Sequence, residues 1–113
     1  VADFTSRSSE NQTTFERVLA KVGLIESPQD ARERRFREQQ AAIDYWDKRV
    51  RVRRAQWDQR MRDAFDRNVA EIDQAVSEYS VILESNPEDE LSGEMLDAAL
   101  NDKMNLLRQF SQL

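Results

Sequence analysis

Glu88, Asp89 and Glu90 stand side by side, and clustered carboxylates are the first place to look for hard-cation chemistry. A calcium loop spaces its oxygen ligands and turns at a glycine, and 86–92 does neither. Behind Asn86 and Pro87, the three acids read better as a helix start, where negative charge sits against exposed N–H groups. Met95 and Met104 are the next pair to test, as soft copper ligands. Nine residues apart, they fall on opposite edges of a helical apolar face, so they read as core. Glu71 and Glu78 share one side of a helix, but acid/base work needs an apolar cleft that raises one carboxyl, and no cleft is in view.

The chain has no His and no Cys. That removes the commonest metal ligand, the commonest base near neutral pH, and any thiol or disulfide chemistry. No Ser-His or Cys-His pair can form, and no Gly-rich loop is present to cradle a phosphate. The expectation is a protein with no catalytic residue, no metal and no cofactor.

Arg32 to Arg54 carries nine Lys or Arg against four acids, and the basic run extends to Arg62 with Trp46 and Trp57 interleaved. Basic residues interleaved with aromatics are one footprint of nucleic-acid binding. A helix spreads Arg49, Arg51, Arg53 and Arg54 around its cylinder, and Asp47–Arg51 and Asp58–Arg62 have the spacing of intrahelical ion pairs. The chain as a whole carries a net charge of -5, so nucleic acid is not the expected partner. Basic residues near a tether also suit anionic lipid headgroups. From Asn68 to Leu113 the balance reverses, with ten acids against Lys103 and Arg108.

These groups must be positioned by helices. Among 113 residues there are two Gly and two Pro, which leaves few places to turn. Residues 1–12 are polar without a period and read as a disordered tether. A short helix follows at about 13–22, with Phe15, Val18, Leu19 and Val22 at helical spacing and Gly23 to end it. Ser27, Pro28 and Asp30 form a helix-start signal. No Gly or Pro intervenes before Pro87, so the sequence predicts one very long helix over 28–85, roughly 85 Å at 1.5 Å per residue. A last helix at 87–111 returns antiparallel to it. The expected fold is all-α: a coiled-coil-like hairpin in a single domain over 13–113.

The hairpin core is read from the apolar stripe. Phe65, Val69, Ile72, Val76, Tyr79 and Leu83 step 4, 3, 4, 3, 4, the spacing of a heptad seam. Met61 precedes them after a 4, 4 drift at Trp57-Met61-Phe65, which marks a stutter. Leu96, Leu100, Met104, Leu107 and Phe110 supply the facing side. The returning helix reaches only half of the long one. That leaves Phe36, Ile43, Trp46, Val50 and Trp57 as a large apolar patch. The short first helix can cover part of it; a second copy of the chain is the expected cover for the rest, so a homodimer is expected.

Trp57, Phe65, Asn68, Ile72, Asp73, Ala75 and Val76, then Leu83, Asn86, Pro87 and Asp89, then Met95, Leu96, Lys103, Leu106 and Leu107 form a pattern over residues 38–110. It resembles the extracytoplasmic C-terminal region of membrane-tethered zinc-finger anti-sigma factors. The resemblance implies a helical sensory or scaffolding domain on the outer side of a bacterial inner membrane, acting through protein contacts in transcription regulation. Sigma binding in that family belongs to an N-terminal zinc-finger segment, followed by a transmembrane helix. Neither stretch is in this sequence, so no sigma-binding residue carries over. On this reading Asn68 and Asp73 face the returning helix, Lys103 meets an acid across the hairpin, and residues 1–12 adjoin the membrane.

The chain opens on Val1 rather than Met, as expected of a piece of a longer protein or of a chain that has lost its initiator Met. The runner-up is a stand-alone coiled-coil adaptor. Tetratricopeptide-like repeats fit less well, since they need short paired helices of about 34 residues per repeat. A metal-sensing hairpin lacks His and Cys.

Overall fold

A computed structural model describes residues 26–113, so the expected tether at 1–12 and helix at 13–22 lie outside the described residues. The described residues form three α-helices and no strand: α1 (Pro28–Arg54), α2 (Gln59–Ser85) and α3 (Glu90–Phe110). Phe36–Leu113 make one compact unit. Within the preceding stretch, the Ser27 Oγ accepts from the Asp30 amide at 3.1 Å, so the Ser-Pro start signal works as a cap. Glu26 and Arg34 pair at 3.1 Å nearby.

The single helix expected over 28–85 does not form. It is broken at 55–58 into two helices of 27 residues each. The break needs no Gly or Pro, because Asp58 supplies the device. Its backbone is extended (φ -71°, ψ 168°) and its Oδ1 accepts from the Met61 amide at 2.8 Å, satisfying one orphan donor of the new helix. Asp58 is therefore a cap, not the ion-pair partner of Arg62. Arg62 instead donates to the carbonyls of Arg54 (3.1 Å) and Ala55 (3.0 Å) where α1 ends, the Arg54 oxygen also accepting from the Trp57 amide at 3.1 Å. A bidentate Arg54–Asp66 pair (2.6 and 3.3 Å) closes the turn from the other side.

The second turn falls where the sequence places it, with a shifted start to α3. Asn86 ends α2, its amide donating to Ile82, and the Asp89 amide donates back to Asn86 at 3.1 Å across Pro87 and Glu88. Asp89, not Pro87, opens the last helix: its Oδ1 accepts from the Ser92 amide at 3.0 Å.

Cross-helix pairs fix the directions. Phe65 and Phe110 rings lie 5.0 Å apart, and Asp73 meets Lys103 at 2.7 Å, so α3 runs antiparallel to α2. Gln39 donates to Asp97 at 2.6 Å and Arg53 to the Ser111 carbonyl at 3.3 Å, so α1 runs parallel to α3 with one constant offset. The α2 and α3 backbones make the extensive close approach. Buried Ser92 and Ala99 are small enough to allow it.

The core holds Ile43, Val50, Trp57, Phe65, Leu100 and Leu107. Around it lie Met61, Val69, Val76, Leu96, Met104 and Phe110 from the expected set, with Trp46 and Leu106. Ile72, Tyr79 and Leu83 are half-buried. Leu107 is 0% and Val50 1% exposed. Burying such a side chain contributes about 1.5–3 kcal/mol.

The apolar row of α1 keeps heptad spacing into the turn: exposed Phe36, buried Ile43 and Val50, and Trp57 beyond the helix end are seven apart, with Gln39, Trp46 and Arg53 between them. The polar members of that second row are the two that bond to α3. An apolar row thus supplies burial, and a polar row sets register.

Candidate interaction surface

The residues expected to await a second chain divide into two groups. Ile43, Val50 and Trp57 are covered by the chain's own α2 and α3, because the break at 55–58 folds α1 back on the hairpin. Their burial removes most of the apolar patch from which a dimer was argued. Phe36 remains 37% exposed at the outer end of the stripe, and Trp46 is half-buried at its flank.

Trp57 sits at the centre of the inter-helix turn, against Phe65 (5.3 Å between centroids) and Phe110 (5.4 Å). Tilted and edge-on aromatic contacts of this kind contribute about 0.5–1.5 kcal/mol beyond area burial. Its indole Nε1 is buried without a hydrogen-bond partner. An unsatisfied buried donor costs about 1–3 kcal/mol, so the turn carries an opposing cost at its best-packed residue.

Outside the core, charge is sorted by the fold. Residues 71–97 form the α2–α3 end of the unit and hold nine carboxylates and no Lys or Arg. Val81, Ile82, Leu91 and Met95 are exposed among them, Leu91 at 68%. Leu91 and Met95 are one turn apart on the same side of α3. At the opposite end, the close of α1 and the start of α2 bring together Lys48, Arg49, Arg51, Arg53, Arg54, Arg60, Arg62 and Arg67. The sorting is partial: the parallel run of α1 and α3 sets Arg37, two residues before Gln39, at the 71–97 end, and Lys103 pairs with Asp73 there.

Two groups show how local contacts tune these ends. The hydrogen bond that the Arg54 guanidinium donates to Asp66 raises it above its ordinary range, which keeps it charged. Asp89 is held below the ordinary aspartate value, chiefly by the Ser92 amide and then by the Ser92 hydroxyl. On the outer side of α1, Arg49 donates to the Tyr45 hydroxyl at 3.2 Å and lies 5.4 and 5.8 Å from the Tyr45 and Trp46 ring centroids. Tyr45 and Trp46 meet edge-on at 5.0 Å. Sequence reasoning missed this cluster, although Tyr45 and Arg49 stand at the i,i+4 spacing that signals it.

Among the described residues, no group of three or more acids, His or Cys is arranged to hold a metal ion. Glu88 and Glu90 are exposed around the Asp89 cap, and Met95 and Met104 are separated, Met95 outside and Met104 against the core. No helix of the described residues is long and apolar enough to cross a membrane. No family model matches the chain, and no curated protein or solved structure is similar to it.

Proposed function

We propose that the chain is a non-catalytic contact domain of a membrane-tethered anti-sigma factor, placed outside the cytoplasm, where it senses or scaffolds through protein contacts and through a homodimer. The observation that carries the contact role is the end formed by residues 71–97. Its exposed carboxylates, among them Glu84, Glu88, Glu90 and Glu94, stand with exposed Val81, Ile82, Leu91 and Met95 and make a surface for a protein with basic and apolar groups at matching spacing. The family part of the reading rests on the sequence resemblance, and the Asp73–Lys103 pair gives that pattern a physical sense. Both residues belong to the register of the helix pair, where a wrong offset would leave them unpaired.

The test is the coding sequence upstream of Val1 in the source gene, joined to one binding measurement. The reading expects an apolar stretch of about 20 residues preceded by a Cys/His cluster. It also expects the isolated chain not to bind the sigma factor encoded beside it. Tight binding by residues 1–113 alone would overturn the division of labour. The heptad row of α1 keeps a second reading in view, a stand-alone coiled-coil adaptor, which a start codon immediately before Val1 would favour.

A further inference from the structure

The turn at 55–58 is made of residues that a helix accepts. Ala55, Gln56, Trp57 and Asp58 include no Gly and no Pro, and none lies anywhere between Pro28 and Pro87. The apolar stripe also runs straight through it. The heptad row Phe36, Ile43, Val50, Trp57 meets the row beginning Phe65, Val69 through successive four-residue steps at Trp57, Met61, Phe65 and Val69, a drift that continuous coiled coils absorb by local unwinding. At the middle of this turn lies the unpartnered Trp57 indole N–H. The turn is held by the Asp58 cap, the two Arg62 bonds, the Arg54–Asp66 pair and the packing of Trp57 on Phe65 and Phe110.

The contacts of α1 farther from the turn have another character. Ile43 and Val50 share a core with α2 and α3, Gln39 bonds to Asp97 on α3 and Arg53 to Ser111 just past its end, while α2 and α3 approach each other closely without α1. Nothing in those contacts requires α1 and the hairpin to belong to one chain.

We infer that 55–58 is a hinge, and that the partner for which this chain is built is a second copy that exchanges α1. With the hinge straightened, α1 and α2 become one helix of roughly 85 Å. Two such helices then cross antiparallel near Trp57, and each α1 lies on the other chain's α2–α3 pair. Every contact of Ile43, Val50, Gln39 and Arg53 is re-formed with the partner; only the turn contacts are given up, against added backbone hydrogen bonds through the hinge. The inference deepens the proposed homodimer by giving it a geometry.

The absence of cysteine makes the test clean. The surface pair Gln39 and Asp97, bonded at 2.6 Å, is replaced as Gln39→Cys/Asp97→Cys and joined with a short bismaleimide. Size-exclusion chromatography with light scattering over a concentration series first separates monomer from dimer. In the dimer fraction, exchange requires the linked product to run as two chains under denaturing conditions. Linked single chains in a dimer fraction overturn the exchange while leaving a surface-mediated dimer, and so the proposed function, intact. A monomer at all concentrations overturns both the exchange and the proposed dimer.

Two hinge variants give the direction. Asp58→Ala removes one cap from each closed chain and none from the exchanged form, so the dimerisation constant rises roughly 30-fold, taking about one cap's stability per chain. Ala55→Gly with Gln56→Gly penalises the continuous helix and lowers that constant on the order of a hundredfold. All three positions are exposed, so the fold tolerates the changes, with helicity by circular dichroism as the control. A dimer fraction indifferent to both variants overturns the hinge.

Discussion

At the scale of single residues, two aspartates decide where helices begin. Asp58 and Asp89 have extended backbones and accept from the amide three residues on. Asp89 has the further property that its folded carboxyl is more acidic than an ordinary aspartate, because the charged form takes the hydrogen bonds of Ser92. For a depressed carboxyl the sign is fixed: its contribution is complete above the ordinary value of 3.8 and is lost as pH falls through the lower folded value. Thermal melts of the parent and of Asp89→Ala should therefore differ at pH 7 and converge as pH drops well below 3.8. Asp89→Asn, which can cap without titrating, should keep its difference from Ala at both ends of that range. A gap between parent and Ala that widens in acid would show that the Asp89 charge is not what holds α3.

At the scale of elements, the sequence reveals stripes better than it reveals stops. The row from Phe65 to Leu83, the facing row from Leu96 to Phe110 and the reversal around Asn86-Pro87 are legible, because period and Pro chemistry are local. The Asp73–Lys103 contact is legible for the same reason, both residues flanking a readable seam. The break at 55–58 is not. Its signal is one aspartate in a run of good helix formers, and the same Asp58 also has ion-pair spacing to Arg62. What decides between those roles is non-local: Trp57 gains Phe65 and Phe110 as neighbours only if the chain turns. With the break in place, Ile43, Val50 and Trp57 join the core of a single chain instead of an open patch. The energetic weight of the elements is testable at α3. Leu107→Ala, at the meeting of all three helices, should cost about 2–5 kcal/mol by denaturant unfolding. Leu91→Ala, on the exposed side of the same helix, should change stability by no more than about 0.5 kcal/mol. Equal losses at the two sites would place the core elsewhere.

At the scale of the whole described unit, separate stretches differ in charge more than the overall composition suggests. A net charge of -5 is modest, yet the end holding 71–97 has no cation within that stretch, while Lys48 to Arg67 gathers eight. Fields of this kind act on encounter rates more than on final affinity, and salt screens them with a Debye length of about 10 Å at 0.1 M. A basic, amphipathic model peptide should bind the acidic end with an on-rate that falls as NaCl rises. Replacing Glu88, Glu90 and Glu94 by Gln should flatten that dependence and leave the fold's melting cooperative. An on-rate unaffected by either salt or these substitutions would remove charge from the account of partner recognition.

The environment of Trp57 also turns the protein into its own optical instrument. Its indole is enclosed by Phe65 and Phe110 with no acceptor at its N–H, while Trp46 lies half-open beside Tyr45 and Arg49. One chromophore therefore emits from a dry, rigid setting and the other from a polar one. The bluer component reads the inter-helix turn, and any straightening at 55–58 registers as a change in colour before it registers as a change in mass.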